Sequence, residues 1–294
     1  MSLDAFVAEV GDSDPVAAEG AHTRWDLGGE LAAGTRLVRP PSGVVEYLPD
    51  EMTVTVLAGT SVEELAAMLA ERGQRCALPE RGGTVGGAVA VGENHVEVLG
   101  RGTIRASVLQ VRYVSADGRL VKGGGPTVKN VSGFDLPRLM TGSLGTLGLI
   151  GEVILRTNPL PSASQWLESS DADPSAVAGV VLRPGAILWD GSHVRVLIEG
   201  HAVDVETTRS ALEQIGTWEA CAGPFALPMH RWSLAPSELR SIEGNFVASI
   251  GVGTVWRDHP QPPRNLPAPV IEISKRLKAN FDPAGRLSPG RSVH

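Results

Sequence analysis

The sequence predicts an α+β fold in two parts, and three observations carry the prediction. Short β runs follow one another between glycine turns from residue 82 to 154, helix signals between them are few, and past Pro159 and Pro161 the composition shifts to fewer glycines. A doubly wound parallel sheet needs a dozen or more residues, usually helical, for every crossover, so regular βαβ alternation fails. At 294 residues the chain is long enough for two cores.

Taken in order, residues 1 to 60 read as short β elements with turns: "DPVAAEGAHTRWDLGG", "TRLVRP", "GVVEYLPD" and "MTVTVLAGT". In the last of these, Thr53–Val54–Thr55–Val56–Leu57 alternates with the period of a half-buried strand. "SVEELAAMLAERG" is marked as a helix by Ser61 as N-cap, Glu64 as capping-box partner, Leu65, Met68 and Leu69 on one face, and Gly73 as C-cap. "TVGGAVAV", "SVLQVRYVSADGRLVKGG" and "GTLGLIGEVILRTNP" read as further β runs, the second a hairpin from Val108 to Val121 turned at Asp117–Gly118. Beyond the boundary, "SAVAGVVLRPGAILWDGSHVRVLIEGHAVDVETTRSALEQIG" reads as helix, hairpin at Asp190–Gly191, and helix, and "GNFVASIGVGTVWR" adds a strand pair. Such elements pack as an antiparallel sheet with helices on one face. "DHPQPPRNLPAP" is a Pro-rich linker to a last helix, "VIEISKRLKANFD", and a tail, "PAGRLSPGR".

Composition excludes several function classes. The net charge is −7 and no basic stripe occurs, which argues against a nucleic-acid partner. Cys76 and Cys221 stand far apart, so neither a disulfide framework nor a zinc or iron–sulfur site is suggested, and a reducing compartment is expected. The histidines lack metal-ligand spacing, so no metal is expected. The N-terminus is acidic where a signal peptide is basic, and the longest near-apolar run, Leu144 to Ile150, is too short to span a bilayer, so a cytoplasmic protein without a transmembrane segment is expected. "GSLGTLG" is not the G-x-G-x-x-G dinucleotide fingerprint, and no P-loop, G-x-S-x-G elbow or H-E-x-x-H run occurs.

Glycine gathers in three clusters, "EGAHTRWDLGG", "RGGTVGGAVAVGENHVEVLGRG" and "GGGPTVKNVSGFDLPRLMTGSLGTLGLIGEVIL". Each is compatible with ordinary turns between short strands. Each also suits bare backbone pressed against an anionic ligand, because small residues let consecutive N–H groups form a nest.

"PDEMTVTVLAGTSVEELAAMLAERGQ", "TVGGAVA", "TVKNVSGFDLPRLMTGSLGTLGLIGEVILRTNPLP" and "FDPAGRLSPGR" resemble the FAD-linked oxidases with the vanillyl-alcohol-oxidase or PCMH-type FAD-binding fold, most of all their glycolate oxidase FAD-binding-subunit branch. The likeness covers roughly residues 15 to 159 and 275 to 291. It implies FAD as cofactor, a FAD domain of two α+β subdomains over residues 1–158, a small α+β cap over 159–265, and a return segment over 266–294. It places the diphosphate loop at Gly20, Ala21, His22, Thr23 and Arg24, and a second cofactor loop at Thr84, Val85, Gly86 and Gly87. A further contact falls at Gly102 and Arg105, and Lys129, Gly133 and Asp135 fall near the flavin. Gly142, Gly145, Gly148 and Ile150 would form a wall, with Ser288 at the C-terminal contact. Lys129 or Arg105 would stabilise a reduced, anionic ring. Lys129 equally fits a solvated turn, and Asp135 equally fits an N-cap on "LPRLM" with Pro137 in the first turn.

The sequence departs from the family at several places. Little chain precedes the diphosphate loop, Ala106 stands where an acidic partner usually follows Arg105, and Ser288 replaces the usual asparagine of Asn-Pro-Gly. The catalytic residues are not legible. His230, Arg231 and Arg257 are the candidates for binding a carboxylate, and they fit surface polar positions as well. The resemblance implies oxidation of a small 2-hydroxy acid such as glycolate or lactate, with electrons passed to a partner subunit, a quinone or oxygen. A second flavin subunit and an iron–sulfur subunit are the implied partners, through which the protein would lie peripheral to a membrane. The alternative is a non-catalytic flavin-binding or scaffolding subunit of such a complex.

Overall fold

The structure, a computed structural model, describes residues 1–79, 81–126, 134–263 and 265–292. The chain divides into two compact units, one of Met1–His95, Thr103–Pro159 and Arg264–His294, the other of Val96–Gly102 and Leu160–Pro263. Residues 96–102, expected in the first domain, belong to the second unit. There the short helix Val98–Arg101 lies on the strand Pro184–Trp189, and a β-carbon on Gly100 would stand 3.0 Å from the Gly185 Cα.

The first unit is built on an antiparallel sheet in the order Val44–Leu48, Thr53–Leu57, Leu149–Pro159, Val108–Val114, Leu120–Gly124, with Gln74–Cys76 pairing the far end of Leu149–Pro159. Leu149–Pro159 is buried on both faces, which explains its near-continuous apolar run. Ile150, Val153 and Leu155 join a core with Leu65, Leu69, Val85 and Val89. Leu149 joins Phe6, Val10 and Leu287 in another.

The helix Val62–Ala70 forms as its pattern dictates. Ser61 Oγ accepts from the Glu64 amide at 3.3 Å, and Leu65 and Leu69 are fully buried, each contributing about 2 kcal/mol. The Ser61 hydroxyl donates to Glu63 at 2.8 Å. Gly73 takes a left-handed φ of 63° two residues beyond the Glu71 C-cap. In the hairpin, Val114 pairs with Leu120 and the loop closes through Ser115 N to Arg119 O at 3.0 Å; Gly118 alone in it has positive φ.

Two local readings are corrected. "TVGGAVAV" is not a β run but the helix Val85–Val91, whose N-cap Thr84 accepts from the Gly87 amide at 3.2 Å and whose C-cap Gly92 is left-handed. Valine and glycine suit a helix poorly, yet burial of Val85, Ala88 and Val89 at helical spacing outweighs propensity here. The opening residues, read within the β region, include the helix Leu3–Val10, capped by Ser2 and buried through Phe6 and Val10.

In the second unit a seven-stranded antiparallel sheet runs Glu219–Cys221, Ala163–Ser169, Val194–Gly200, Pro184–Trp189, Phe246–Ser249, Thr254–Arg257, His230–Ser233. Leu167, Ile187, Val196 and Ile198 form one core with Val177 and Leu212 of the helices Pro174–Val180 and Ala202–Leu212. Alternate residues Ala186, Leu188 and Leu197 face a separate cluster, as the two-residue period requires.

After the helix Ala268–Phe281, the chain returns through the fully buried carboxylate of Asp282. That carboxylate accepts from Lys278 Nζ at 2.5 Å, the Arg286 amide at 3.0 Å and the Leu287 amide at 2.8 Å. Asp282→Ala should lower unfolding stability by about 3 kcal/mol in urea titration, because a buried cation-paired acceptor is lost and two buried amides are orphaned. At the hairpin tip, hydrogen bonds from Arg119 and then Ser115 lower the Asp117 carboxyl to about 2. A depressed value means the contact is present above the ordinary aspartate range and lost as pH falls through about 2. The carboxyl shift of Asp117 in NMR should therefore stay flat from pH 7 to 4 and titrate near 2, rising toward 4 in Arg119→Gln.

Candidate functional site

A cleft of about 730 Å³ opens in the first unit between four segments. They are the loop after the strand Val16–Ala18, the start of the helix Val85–Val91, the turn leading into Leu149–Pro159, and the returning C-terminal chain. Gly20, Ala21, His22, Thr23 and Arg24 all line it, as do Thr84, Gly86 and Gly87. Gly145, Gly148, Ile150 and Ser288 complete the set that sequence placed there.

The first loop supplies donors. Among the described residues the amides of Gly20, Ala21, His22 and Thr23 have no acceptor. His22 sits at a left-handed φ of 58° and stacks on Trp25 at 4.1 Å. Its ring lies 2.9 Å from Glu19, which also accepts from Arg39 Nε at 2.8 Å. The Arg39 hydrogen bond, then that of His22, holds the Glu19 carboxyl below its usual range.

Arg24 is 7% exposed at its side chain. It is pinned by an ion pair with buried Glu93 and by bonds from Nη1 to Gly82 O at 2.7 Å and Thr23 Oγ1 at 2.9 Å. Its buried Nη2 has no acceptor. Arg291 lies across the cleft-lining Trp25 ring at 4.3 Å and gives Nη2 to the Trp25 carbonyl at 3.1 Å, and its buried Nε has no acceptor either.

The second loop works differently from the expectation of an amide nest. Val85 N is bonded to Thr60 O at 2.9 Å, Gly86 N to Ala58 O at 2.7 Å and Gly87 N to Thr84 Oγ1. With these donors satisfied, the helix start offers the cleft a shape and the Thr84 side chain. Two of the glycines here serve packing. A β-carbon on Gly86 would stand 2.6 Å from the Ala58 Cβ, and one on Gly148 would overlap the Tyr113 ring. By contrast, β-carbons on Gly20, Gly87 and Gly145 would meet the cleft-lining hydroxyls of Thr84, at 2.8 and 3.0 Å, and Ser288, at 2.9 Å.

A second cavity of about 570 Å³ shares Val91 with the cleft and holds Arg105 and Gly142. Arg105 Nη2 donates to Thr141 O at 3.3 Å. The remaining sequence candidates are placed elsewhere. Val85 is buried in the core. Gly102 caps the helix Val98–Arg101 in the second unit. Asp135 is an exposed N-cap whose Oδ1 accepts from the Arg138 amide at 3.2 Å. Lys129 and Gly133 lie outside the described residues. His230 pairs with Arg257, and Arg231 with Trp256, across neighbouring strands of the second unit. Arg257 lies over the Trp232 ring at 4.8 Å and donates to Glu243 O at 2.6 Å. Among the described residues no group of three His, Cys, Asp or Glu side chains is arranged to hold a metal ion.

Sequence reasoning missed Arg291, Trp25 and Glu93. Arg291 closes the "SPGR" run and was within reach of a motif reading; the partner of a buried arginine 69 positions away carries no local signal. Free amides and two orphaned guanidinium N–H groups in one cleft suit the dianionic diphosphate of FAD. The residues present therefore fit that cofactor: Gly20–Arg24, Arg291, Thr84 and Gly87 line one cleft and would be the groups to hold it.

Residues 7–124 match the family described as FAD binding domain. The chain is 28% identical to glycolate oxidase subunit GlcE of Escherichia coli, over 98% of the chain and 95% of that protein. It is 45% identical to a D-lactate dehydrogenase of Archaeoglobus fulgidus over 26% of the chain and 17% of that protein, and 30% identical to glycolate oxidase subunit GlcD of Bacillus subtilis over 46% and 31%. The solved structure of an alkyldihydroxyacetonephosphate synthase superposes with a TM-score of 0.70 at 14% identity, covering 98% of this chain and 73% of that one, which shows a shared fold. Motif, cleft and fold converge: residues 7–124 match an FAD binding domain, and the chain is similar along its length to a glycolate oxidase subunit.

Proposed function

We propose that the protein is a FAD-dependent oxidoreductase, or the FAD-binding subunit of one, that oxidises a small 2-hydroxy acid such as glycolate or lactate. The observation that carries this reading is the end-to-end similarity to a glycolate oxidase subunit, joined to a cleft whose free donors match the cofactor. FAD, when bound, supplies a two-electron acceptor for the carbon bearing the hydroxyl. The chain's own part is to hold the diphosphate with Gly20–Arg24, to shape the cleft with Thr84, Gly87 and Gly145, and to place Arg105 in the adjoining cavity. Electrons would pass to a partner subunit, a quinone or oxygen. Assembly with a second flavin subunit and an iron–sulfur subunit, and peripheral attachment to a membrane through them, belong to the same reading. No helix among the described residues is long and apolar enough to cross a membrane.

A second reading is a flavin-binding subunit without its own catalysis. It is favoured by Arg257, one of the expected carboxylate binders, which lies over Trp232 and gives Nη2 to the Glu243 carbonyl, leaving a buried Nε without an acceptor. Anaerobic addition of glycolate, lactate and longer 2-hydroxy acids to the FAD-loaded protein separates the two: bleaching of the flavin band by one of them is the expected result, and no bleaching by any favours the subunit reading. Gly87→Val tests the cleft itself. Purified variant protein should carry less than a tenth of the wild-type flavin absorbance at unchanged far-UV circular dichroism, because the added methyl groups intrude beside Thr84.

A further inference from the structure

Charge inside the cleft is unevenly settled. Glu19 is paired with Arg39 and His22, and Arg24 is neutralised by Glu93, which also takes Arg81 Nη1 at 3.3 Å. Arg291 is different. Among the described residues its hydrogen-bond and ring partners are the Trp25 carbonyl and the Trp25 ring, neither of them an anion, and burial pulls its pKa down. The guanidinium stays charged at neutral pH regardless, since its ordinary value lies so high. It is therefore a part-buried cation with a buried, unused Nε–H, at the same cleft as an unused Arg24 Nη2–H and the free amides of Gly20–Thr23.

The segment that bears it is held in place. Ser288 N donates to Val16 O at 2.8 Å, Ala32 N to Pro289 O at 2.8 Å and Ser292 N to Gly28 O at 2.7 Å. Gly290 sits at a φ of 91° where a β-carbon would stand 2.9 Å from the Ala32 amide. The chain from 288 to 292 thus clasps the stretch that follows Gly20–Arg24, and the Trp25 ring and carbonyl hold the guanidinium at two points. A planar, pre-oriented fork with a free donor suits a phosphate oxygen better than a freely moving ammonium does.

We propose that Arg291 is an anion-binding residue of the cleft, contributed by the C-terminal segment, which completes the diphosphate site together with Arg24 and is oriented for it by Trp25. The proposal rests on the FAD reading above and names the cation that this site uses.

The test is calorimetric titration of flavin-free protein with FAD and, separately, with inorganic pyrophosphate, for wild type, Arg291→Gln, Arg291→Lys and Trp25→Leu. Arg291→Gln should weaken FAD and pyrophosphate by about tenfold to a hundredfold, the range for losing a charge-assisted hydrogen bond. Arg291→Lys should recover part of the pyrophosphate affinity, and Trp25→Leu should weaken FAD with the charge still present. If wild type and Arg291→Gln bind FAD and pyrophosphate equally, the assignment to Arg291 is wrong and the FAD reading stands. If wild type binds pyrophosphate in an Arg291-dependent way but not FAD, the anion site stands and the FAD reading falls. Binding of neither ligand by wild type overturns both. Should Arg291→Gln unfold, Arg291→Lys and Trp25→Leu decide: FAD affinity within twofold of wild type in both overturns the proposal.

Discussion

One buried carboxylate sets the geometry on which the cleft depends. Asp282 receives the Lys278 ammonium and the amides of Arg286 and Leu287, and Lys278 reaches on to the carbonyls of Thr146 and Leu287 at 2.8 and 3.0 Å. The last helix, the turn at 143–147 and the C-terminal segment are thereby tied at one point. Arg286 extends the knot to the carbonyls of Val10, Asp14 and Ala116, and Leu287 bridges Val16 in parallel. Ser288 and Arg291 arrive at the cleft because this knot leaves them nowhere else to go. A buried charge of this kind is tolerated when it is paired and hydrogen-bonded, and here one cation and two amides serve the carboxylate.

The cleft then solves an electrostatic problem. A chain of net charge −7 that takes FAD has to accommodate a dianion, and in this cleft acidic side chains are paired locally. Two acidic side chains that lie close to the loop are paired, Glu19 with Arg39 and the His22 ring and Glu93 with Arg24 and Arg81. Among the described residues the cleft-lining donors without an acceptor are loop amides, Arg24 Nη2 and Arg291 Nε. Inside a partly desolvated site such groups count for more than the distant surface charge, which salt screens.

Glycine abundance turns out to have two causes. At Gly20, Gly87 and Gly145 the missing β-carbon keeps room beside hydroxyls that line the cleft. At Gly86 and Gly148 it lets one element approach another, Ala58 in the first case and the Tyr113 ring in the second. The same residue type in the same motif thus serves ligand access and internal packing, and the two cannot be told apart in one dimension.

The helix Val62–Ala70, the hairpin built on Val108–Val114, the long central strand and the loop from Gly20 to Arg24 were legible because each is specified by neighbours in the chain: a cap, a period, a turn glycine, a run of small residues. The α+β class followed from their order. Other features were settled only by contacts far apart in sequence. "TVGGAVAV" became a helix because Val85, Ala88 and Val89 found a core and Gly86 found Ala58; Thr60 and Ala58 then took the amides that the sequence had offered to a ligand. Asp135 became a cap, and Arg291 acquired a place in the cleft through a ring 266 positions away. Local signals fix which backbone shapes are affordable in free energy, whereas the partners of buried donors, and so the donors left for a ligand, are decided only when distant segments meet.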